Sequence, residues 1–446
     1  MRKKYQRIWI ALAVASALAG TSTLASAAGF ALIVQSASGM GNAFAGAAAT
    51  AEDASTIFYN PAGMALLPDK QIVIAGHAIK PKAEFSNNGS TTPPALITNV
   101  GGNGGDAGDL AFVPNAYFAM KITDDLRAGI GVTVPFGLKT EYENGWAGRF
   151  QALKSQVKTI DINPSLAYQF NDNISVGGGV SYRTIDADLS NAVDFSAVIF
   201  KGSGGLIAIP NVEGKATVSG NDAAWGWNLG ALFKLAPDTR VGVAYRSKIK
   251  FTLEGDVAFD RPVTGNATAN AIINGFGKDG NVSADIELPD VASISFFHRL
   301  NERWDVMADY TWTGWSSFKR LTVVRSNGTT LSDTVENWKD TSRYSIGASY
   351  RWSDTLKLRG GIAYDETPVR DQYRTARIPD NDRIWVALGA QWKLTNTSAL
   401  DFGYAHLFIS DPSINQTGGN AAANGTLAGS YSGSVDVLSA QYSLSF

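Results

Sequence analysis

Apolar and polar residues alternate along much of the chain, most clearly in its C-terminal half. Apolar side chains occupy every second position over 304–312, 344–352, 384–394 and 438–446, with mostly polar residues between them. Successive side chains of a β-strand point to opposite faces, so a period of two indicates strands with one apolar and one polar face. Aromatic residues lie near the ends of many of these apolar faces, as in the interfacial girdles of a membrane barrel.

The period and the turn residues together predict about 14 strands. They are expected near 70–80, 111–121, 126–136, 155–170, 173–189, 223–235, 239–254, 284–299, 303–316, 341–352, 355–365, 382–394, 398–409 and 434–446.

The connections between these strands alternate strictly between short and long. The short links are 123–125, 171–173, 236–238, 301–302, 353–354 and 395–397, and the long ones are 81–110, 137–154, 190–222, 255–283, 317–340, 366–381 and 410–433. A soluble sandwich also alternates in polarity but has no reason to sort its loops in this way. The fold class is therefore predicted to be all-β, a transmembrane antiparallel barrel in a Gram-negative outer membrane with both termini in the periplasm.

The N-terminus reads as a signal peptide, residues 1–27. Four basic residues precede an apolar run that ends in Ala25-Ser26-Ala27, which is typical of a leader cut after Ala27. A retained membrane anchor is the alternative, although the apolar run is short for a span. The chain has a formal net charge of −2 and no cysteine, which excludes disulfides and thiolate metal sites and gives no sign of a nucleic-acid partner.

Residues 28–69 lack the period of two and precede the first strand of the predicted barrel, 70–446. A barrel of this size has a bore wider than its own side chains fill, and this apolar, turn-rich segment would be costly to expose to water. We expect it to fold back into the lumen as a plug, with Asn60-Pro61 as a turn signal. An extra first strand with a disordered leader is the alternative.

A family resemblance follows from these residues. The stretch "AGF…SASGMGNAFAGAAATAEDASTIFYNPAGM" resembles the hatch of the FadL family of outer-membrane transporters of long-chain fatty acids. The similarity continues in "GWAGRFQALKSQVKTIDINPSLAYQF", in "GIAYDETPVRDQYRTARIPDNDRIWVALGAQW" and in the terminal Phe446. The resemblance implies a monomeric 14-stranded barrel with an N-terminal hatch, and Phe446 resembles the terminal aromatic that the barrel-assembly machinery recognises.

Apolar residues on the long link 190–222 form the predicted substrate-capture site, because clusters of this kind on a loop mark binding surfaces. They are Phe195, Val198, Ile199, Phe200, Leu206, Ile207 and Ile209. In the family a groove between outside loops captures substrate first, which places the capture site here and in 255–283. Packing of these residues against other loops is the alternative.

A fatty acid also needs a cation for its carboxylate. Arg149, Arg183, Lys319 and Arg320 are the candidates, although most Arg and Lys on such strands simply line a lumen. Phe30 and Ile33 are the predicted substrate contacts on the hatch.

Glycine and proline inside the strand 126–136 indicate a kink or weakened pairing. The resemblance implies that such a kink opens the barrel wall, with Val132, Val134, Pro135 and Gly137 at the matching place; a simple strand end at Pro135 is the alternative. Asn60, Pro61 and Ala62 are expected to face this opening, since the amide of Asn60 could satisfy freed backbone groups.

The expected function is passive uptake of long-chain fatty acids or related hydrophobic molecules, with no cofactor, no metal and no catalysis. Outer-membrane lipid and lipopolysaccharide are the expected surroundings. Uptake of aromatic hydrocarbons by the same fold is the first alternative, and a general porin is a weaker one. An enzyme such as a lipase is disfavoured because no G-x-S-x-G motif is present.

Overall fold

The computed structural model describes residues 28–93, 96–417 and 424–446. The predicted signal peptide, 1–27, lies outside the described residues. No helix in the described ranges is both long and apolar enough to cross a membrane.

The described chain forms one closed antiparallel sheet of 20 strands. These are β1 (Lys70–Asn87), β2 (Ala111–Lys121), β3 (Leu126–Thr133), β4 (Gly137–Glu141), β5 (Lys154–Asn171), β6 (Ile174–Asp194), β7 (Glu213–Ala236), β8 (Thr239–Arg246), β9 (Ile249–Asp260), β10 (Gly280–Leu288), β11 (Val291–Arg299), β12 (Trp304–Thr313), β13 (Arg320–Arg325), β14 (Thr330–Val335), β15 (Thr341–Arg351), β16 (Leu356–Asp365), β17 (Arg383–Lys393), β18 (Ser398–Ile409), β19 (Ser413–Gln416) and β20 (Leu427–Ser445).

Six of the barrel strands are each interrupted once, so the 20 segments form 14 strands of the wall. The interrupted pairs are β3–β4, β8–β9, β10–β11, β12–β13, β14–β15 and β18–β19. β1 pairs with β20 from Gln71↔Ser445 to Asn87↔Gly429, and this pairing closes the ring. The predicted 14-stranded barrel is confirmed.

The outer face of the membrane-spanning strands is apolar and their inner face is polar, as the alternation predicts. Ile346 and Leu388 each expose more than half of their surface on the outside, whereas Arg343 and Ser345 are buried inside. Tyr310 packs beside its cross-strand partner Tyr344 with ring centroids 5.2 Å apart, which is the aromatic pairing expected of a girdle.

Several long links contain more strand than the sequence indicates. The link 317–340 is largely the hairpin β13–β14, and 255–283 contains the end of β9 and the start of β10. The sequence pattern fades there because the outer face of these extensions is itself polar, with Lys250, Thr252 and Glu254 exposed on β9. The ends of the barrel are called the long-loop end and the short-turn end below.

Residues 28–69, called the hatch below, lie inside the ring of strands. The hatch contains the short helices α1 (Ala37–Met40), α2 (Ala47–Thr50) and α3 (Thr56–Tyr59) and a 3₁₀ turn, Pro61–Leu66. α1 contacts β17, β18 and β20, α2 contacts β8 and β11, and the 3₁₀ turn contacts β5, β6 and β7. These strands lie on different sides of the barrel, so the hatch fills the lumen between them.

Small residues allow the hatch backbone to lie directly against the wall. A Cβ added to Gly41 would lie 2.8 Å from the Cα of Gly389 on β17, and the converse distance is 2.7 Å. The hatch is also held by charge, because Glu52 accepts hydrogen bonds of 2.6 Å from both Lys357 and Arg359. Close backbone contact explains why alanine and glycine dominate 36–51.

Candidate functional site: a wall gap and an apolar cavity

The wall of the barrel kinks between β3 and β4. The register with β5 runs from Leu126↔Tyr168 to Thr133↔Asp161 and resumes at Gly137↔Lys158. Three residues, 134–136, therefore face two on β5, which is a bulge with one extra residue. Pro135 lies at its centre and has no N–H to give to a ladder. The kink falls where the sequence predicts it, within 132–137.

On the β5 side, one threonine closes the kink. The Thr159 hydroxyl donates to the carbonyl of Phe136 at 2.8 Å, and the Phe136 N–H donates back to that hydroxyl at 3.0 Å. The Thr159 N–H reaches the same carbonyl at 3.3 Å. The wall therefore stays continuous between β4 and β5.

On the β2 side, strand pairing stops at the kink. The ladder between β2 and β3 ends at Ala116↔Val132, and residues 111–115 of β2 have no paired strand on this edge within the described chain. Contact resumes further out, where Glu141 N–H donates to the carbonyl of Ala107 at 3.1 Å. We call the opening between 111–115 and 134–139 the wall gap.

The amide of Gln35 on the hatch occupies the lower part of the wall gap. Its Nε2 donates to the carbonyl of Val134 at 2.7 Å, and its Oε1 accepts from the Val134 N–H at 3.3 Å. The same Oε1 accepts a bond of 2.6 Å from the side chain of Asn115 on β2. Gln35 is fully buried, replaces the missing strand pair at the backbone of Val134 and reaches β2 through the Asn115 side chain.

The start of the hatch pairs with the upper part of the kink. Leu32 N–H donates to the carbonyl of Pro135 at 2.8 Å, and Gly137 N–H donates to the carbonyl of Phe30 at 2.8 Å. Ala31 and Phe136 form an isolated antiparallel bridge. The hatch thus satisfies the backbone groups that the kink frees. Without these bonds, each unpaired group at membrane depth would cost several kcal/mol.

Asn60, Pro61 and Ala62 do not face this gap, so the expected contact is corrected. The Asn60 side chain accepts from Ala62 N–H at 3.1 Å and donates to the carbonyls of Ala48 and Ala231, at 2.7 and 3.0 Å. Ala231 belongs to β7, away from the kinked strand. The Asn60 amide does bond to backbone groups, as predicted, but it starts a 3₁₀ turn and ties the hatch to β7. The backbone groups freed by the kink bond to Gln35 instead.

Above the hatch, toward the long-loop end, lies a cavity of about 80 Å³. Its walls are apolar side chains from the inner faces of β4, β5, β6, β9 and β10, including Leu138, Val157, Ile185, Leu253 and Ile286. Phe30 of the hatch forms its floor and packs against Trp315, with ring centroids 4.8 Å apart. Ile33, the other predicted contact, packs instead with the hydrophobic cluster around Leu32.

Two ionisable side chains line this cavity, Arg377 and Glu336. Both come from segments that link strands at the long-loop end. Arg377 donates through Nη1 to the carbonyl of Lys154 and to Ser155 Oγ, at 3.1 and 3.0 Å. Burial lowers the pKa of the Arg377 guanidinium to about 10, so it stays charged at neutral pH. Burial raises the pKa of the Glu336 carboxyl to about 8, so it is largely neutral there.

None of the four predicted cations lines this cavity. Arg149 is held by Glu213, with both nitrogen–oxygen distances 2.8 Å, and by loop carbonyls. Lys319 is exposed, and Arg320 is exposed and pairs with Asp333 on β14. The fourth, Arg183, is buried in the lumen beneath the cavity. Sequence reasoning missed Arg377 because nothing local in the link 366–381 shows that it folds inward.

The apolar residues of the link 190–222 pack between two helices, α4 (Phe195–Gly202) and α5 (Ala267–Gly275). Phe195 and Ile199 are fully buried against Ala269 and Ile273, and Val198, Ile207 and Ile209 pack at the edge of the same cluster. Leu206 remains 89% exposed, and Phe200 is also exposed. The alternative of loop packing therefore holds for Phe195 and Ile199, and only Phe200 and Leu206 present a free apolar surface.

The architecture defines the class: an outer-membrane β-barrel whose lumen holds an N-terminal hatch beneath an apolar cavity. The chain belongs to the family described as outer membrane protein transport protein (OMPP1/FadL/TodX), which its residues 18–446 match. This membership places it in the outer membrane.

The chain is similar to several relatives over most of its length. It is 33% identical to outer membrane protein P1 of Haemophilus influenzae over 431 residues, covering 91% of this chain and 90% of that protein. It is 29% identical to the long-chain fatty acid transport protein of Escherichia coli K12, covering 91% and 93%.

Solved structures share the fold. A Pseudomonas aeruginosa FadL homologue superposes with a TM-score of 0.86 at 25% identity, covering 94% of this chain and all of that one. A Pseudomonas putida toluene transporter, TodX, superposes with a TM-score of 0.67 at 20% identity, with the same coverage.

Proposed function

We propose that this protein carries long-chain fatty acids passively across the outer membrane. Substrate is captured at the long-loop end, enters the cavity, and leaves sideways through the wall gap when the first residues of the hatch move. Membership of a family of outer-membrane transport proteins supports transport, and the E. coli relative named as a fatty acid transporter supports this substrate.

The observation that carries the proposal is one partly buried guanidinium, that of Arg377, in a cavity lined mainly by apolar side chains. A fatty acid is a long apolar chain with one carboxylate, and a charge-assisted bond from a guanidinium is strong in a dry site. Arg377 has backbone and hydroxyl partners but no carboxylate within ion-pair distance among the described residues. A neutral Glu336 beside it can donate a hydrogen bond to a ligand carboxylate rather than repel it.

Binding of a fatty acid and of its methyl ester to the purified barrel tests this assignment. Arg377→Met is expected to weaken binding of the fatty acid by about 10- to 100-fold, because one charged hydrogen bond is lost, and to weaken binding of the ester much less. Arg320→Met, which removes an exposed arginine outside the cavity, is the matched control. Equal affinity of the wild type for acid and ester would contradict the fatty-acid proposal.

The gate in this proposal is the contact between Gln35 and the kink at Val134, Pro135 and Gly137, with the last paired residue, Val132, at its lower edge. A fixed hatch blocks the gap, and a wall without the hatch leaves unpaired backbone. Movement of residues 28–35 is the least costly way to open a path, because these residues and not a neighbouring strand complete the wall.

Capture is proposed at the exposed part of the loop cluster, Phe200 and Leu206. The buried members, Phe195 and Ile199, hold α4 against α5 and support this surface. Changing Phe200 and Leu206 together to Ser should slow uptake at low substrate concentration while leaving the barrel folded. Unchanged uptake under those conditions would remove the capture role.

Aromatic hydrocarbons are the second candidate, because aromatic rings crowd one end of the cavity. Phe30, Trp315, Phe318 and Trp338 pack together there. Tight binding of toluene without binding of a fatty acid would favour this reading. Lipopolysaccharide contact, a monomeric state and recognition of the exposed terminal Phe446 by the assembly machinery remain predictions.

A further inference from the structure

A buried cluster between the cavity and the wall gap has more positive than negative charge. Asp161 on β5 is completely buried and lies 3.4 Å from Arg183 on β6 and 3.4 Å from Arg246 on β8. Two guanidinium groups thus share one carboxylate. Asp53, a buried carboxylate of the hatch, is bonded to Ser38 and Gln441 instead.

The two arginines differ in how their donors are used. Arg246 donates to Ser181 Oγ at 3.2 Å, to Asp161 at 3.4 Å and to the carbonyl of Phe58 at 2.9 Å. Arg183 is 1% exposed, and its Nε lies 3.4 Å from Asp161 Oδ1 as an ion pair without a hydrogen bond. Its Nη2 has no hydrogen-bond partner among the described residues. Unpaired buried donors are costly, and charged ones more so.

A second unpartnered group lies at the same place. The hydroxyl of Thr133, the last residue of β3 before the kink, is buried and has no partner in the described chain. Thr133 is the cross-strand partner of Asp161. The cluster therefore offers unused N–H and O–H groups at the edge of the wall gap.

The position of Arg183 links the cavity with the gap. Its guanidinium lies 5.3 Å from the ring centroid of Phe136, the last residue of the kink. Phe136 in turn packs against Phe30, the cavity floor, at 5.9 Å between centroids. Ile185, two residues further along β6, lines the cavity itself. Two aromatic rings thus separate the cavity from Arg183.

We propose that Arg183 and Thr133 form a second anion subsite, which receives the fatty-acid carboxylate from Arg377 when Phe30 and Phe136 move and holds it as the chain enters the wall gap. The inference rests on the proposed function. It assigns the unused donors a ligand and gives the charged end of the substrate a partner at each stage, since an unpaired carboxylate in this dry interior would be costly. Asp161 keeps Arg183 oriented, and Arg246 holds Asp161.

Uptake rates of a fatty acid and of its methyl ester, measured on Arg183→Met, Arg183→Lys and Asp161→Asn, test this subsite. Arg183→Met should slow uptake of the acid by about tenfold or more relative to uptake of the ester. Arg183→Lys should recover part of the lost rate for the acid. Asp161→Asn leaves two cations without a counter-charge and should retain the acid longer, seen as slower release of bound ligand. A difference in electrophoretic mobility between heated and unheated samples confirms that each barrel is folded.

Equal slowing of acid and ester by Arg183→Met would assign the residue a purely structural role and overturn the subsite. Unchanged uptake of both would do the same. Failure of the wild type to transport the acid is a separate outcome, which overturns the proposed function itself. Should Arg183→Met not fold, the comparison of Asp161→Asn with wild type decides, because unchanged release in that variant also contradicts the subsite.

Discussion

Two of the strand breaks that resume one residue out of register are completed in different ways. In one strand the break lies at 134–136, between β3 and β4. In the other it lies at Ser247 and Lys248, between β8 and β9, where the register with β7 moves by one between Asn228↔Arg246 and Asn221↔Glu254.

The difference is which part of the chain satisfies the freed groups. Ser247 N–H donates to the carbonyl of Trp227 at 2.9 Å, and its hydroxyl accepts from Trp227 N–H at 2.9 Å, so neighbouring strands close the second break by themselves. At the first break Thr159 has the corresponding role on the β5 side. On the β2 side no strand pairs with the kink, and Val134 bonds to Gln35 of the hatch instead. A kink alone does not make a gate; a gate needs a kink completed by a segment that can leave.

Deleting residues 28–69 should have the largest effect. The hatch fills the lumen between strands on several sides, so its removal is expected to turn a nearly closed barrel into one with a large ionic conductance. Single-channel recordings in planar bilayers measure this. A deleted barrel that conducts no better than the intact protein would show that the hatch does not seal the lumen.

Gln35→Leu and Ser247→Ala sharpen the comparison between the two breaks. Gln35→Leu leaves Val134 and Asn115 unpaired at a cost of about 1–3 kcal/mol for each buried group, and should raise leak current or uptake. Ser247→Ala should lower thermal stability by a similar amount with unchanged uptake. Bilayer conductance measures the leak, and the temperature at which the folded band is lost on a gel measures stability. Identical behaviour of the two variants would remove the distinction between the two breaks.

The pH dependence of binding should show a smaller effect. Because the pKa of Glu336 is raised to about 8, the group is neutral below that pH and ionised above it. Affinity for a fatty acid should fall about fivefold between pH 6.5 and 9, a repulsion of about 1 kcal/mol in a partly screened site. Glu336→Gln should abolish this dependence, and the methyl ester should lack it. A wild-type affinity for the acid that is constant over this range would contradict the role.

The sequence predicts the parts of the molecule that meet lipid, because lipid imposes a period of two on every spanning strand. It predicts the kink from Gly and Pro for a similarly local reason. It does not predict that Gln35 completes the kink, since that bond joins residues 99 positions apart and any buried amide of the hatch would fit the same chemistry. Arg377 is missed likewise, because the inward fold of its link depends on tertiary contacts.

The central claim is that residues 28–35 must leave the kink for substrate to pass. Ala31 and Phe136 are antiparallel bridge partners, so Cys at both positions has a spacing suited to a disulfide. The chain has no other cysteine. A Cys pair replacing Leu229 and Tyr245, which are partners on β7 and β8 at the closed break, is the matched control.

Fatty-acid uptake by the oxidised and reduced forms of these two Cys-pair variants is the most direct test. The account predicts that oxidation of the Ala31→Cys, Phe136→Cys variant stops uptake, that reduction restores it, and that the control pair transports equally in both states. Undiminished uptake by the fully cross-linked hatch variant would contradict the account and place the exit elsewhere in the barrel.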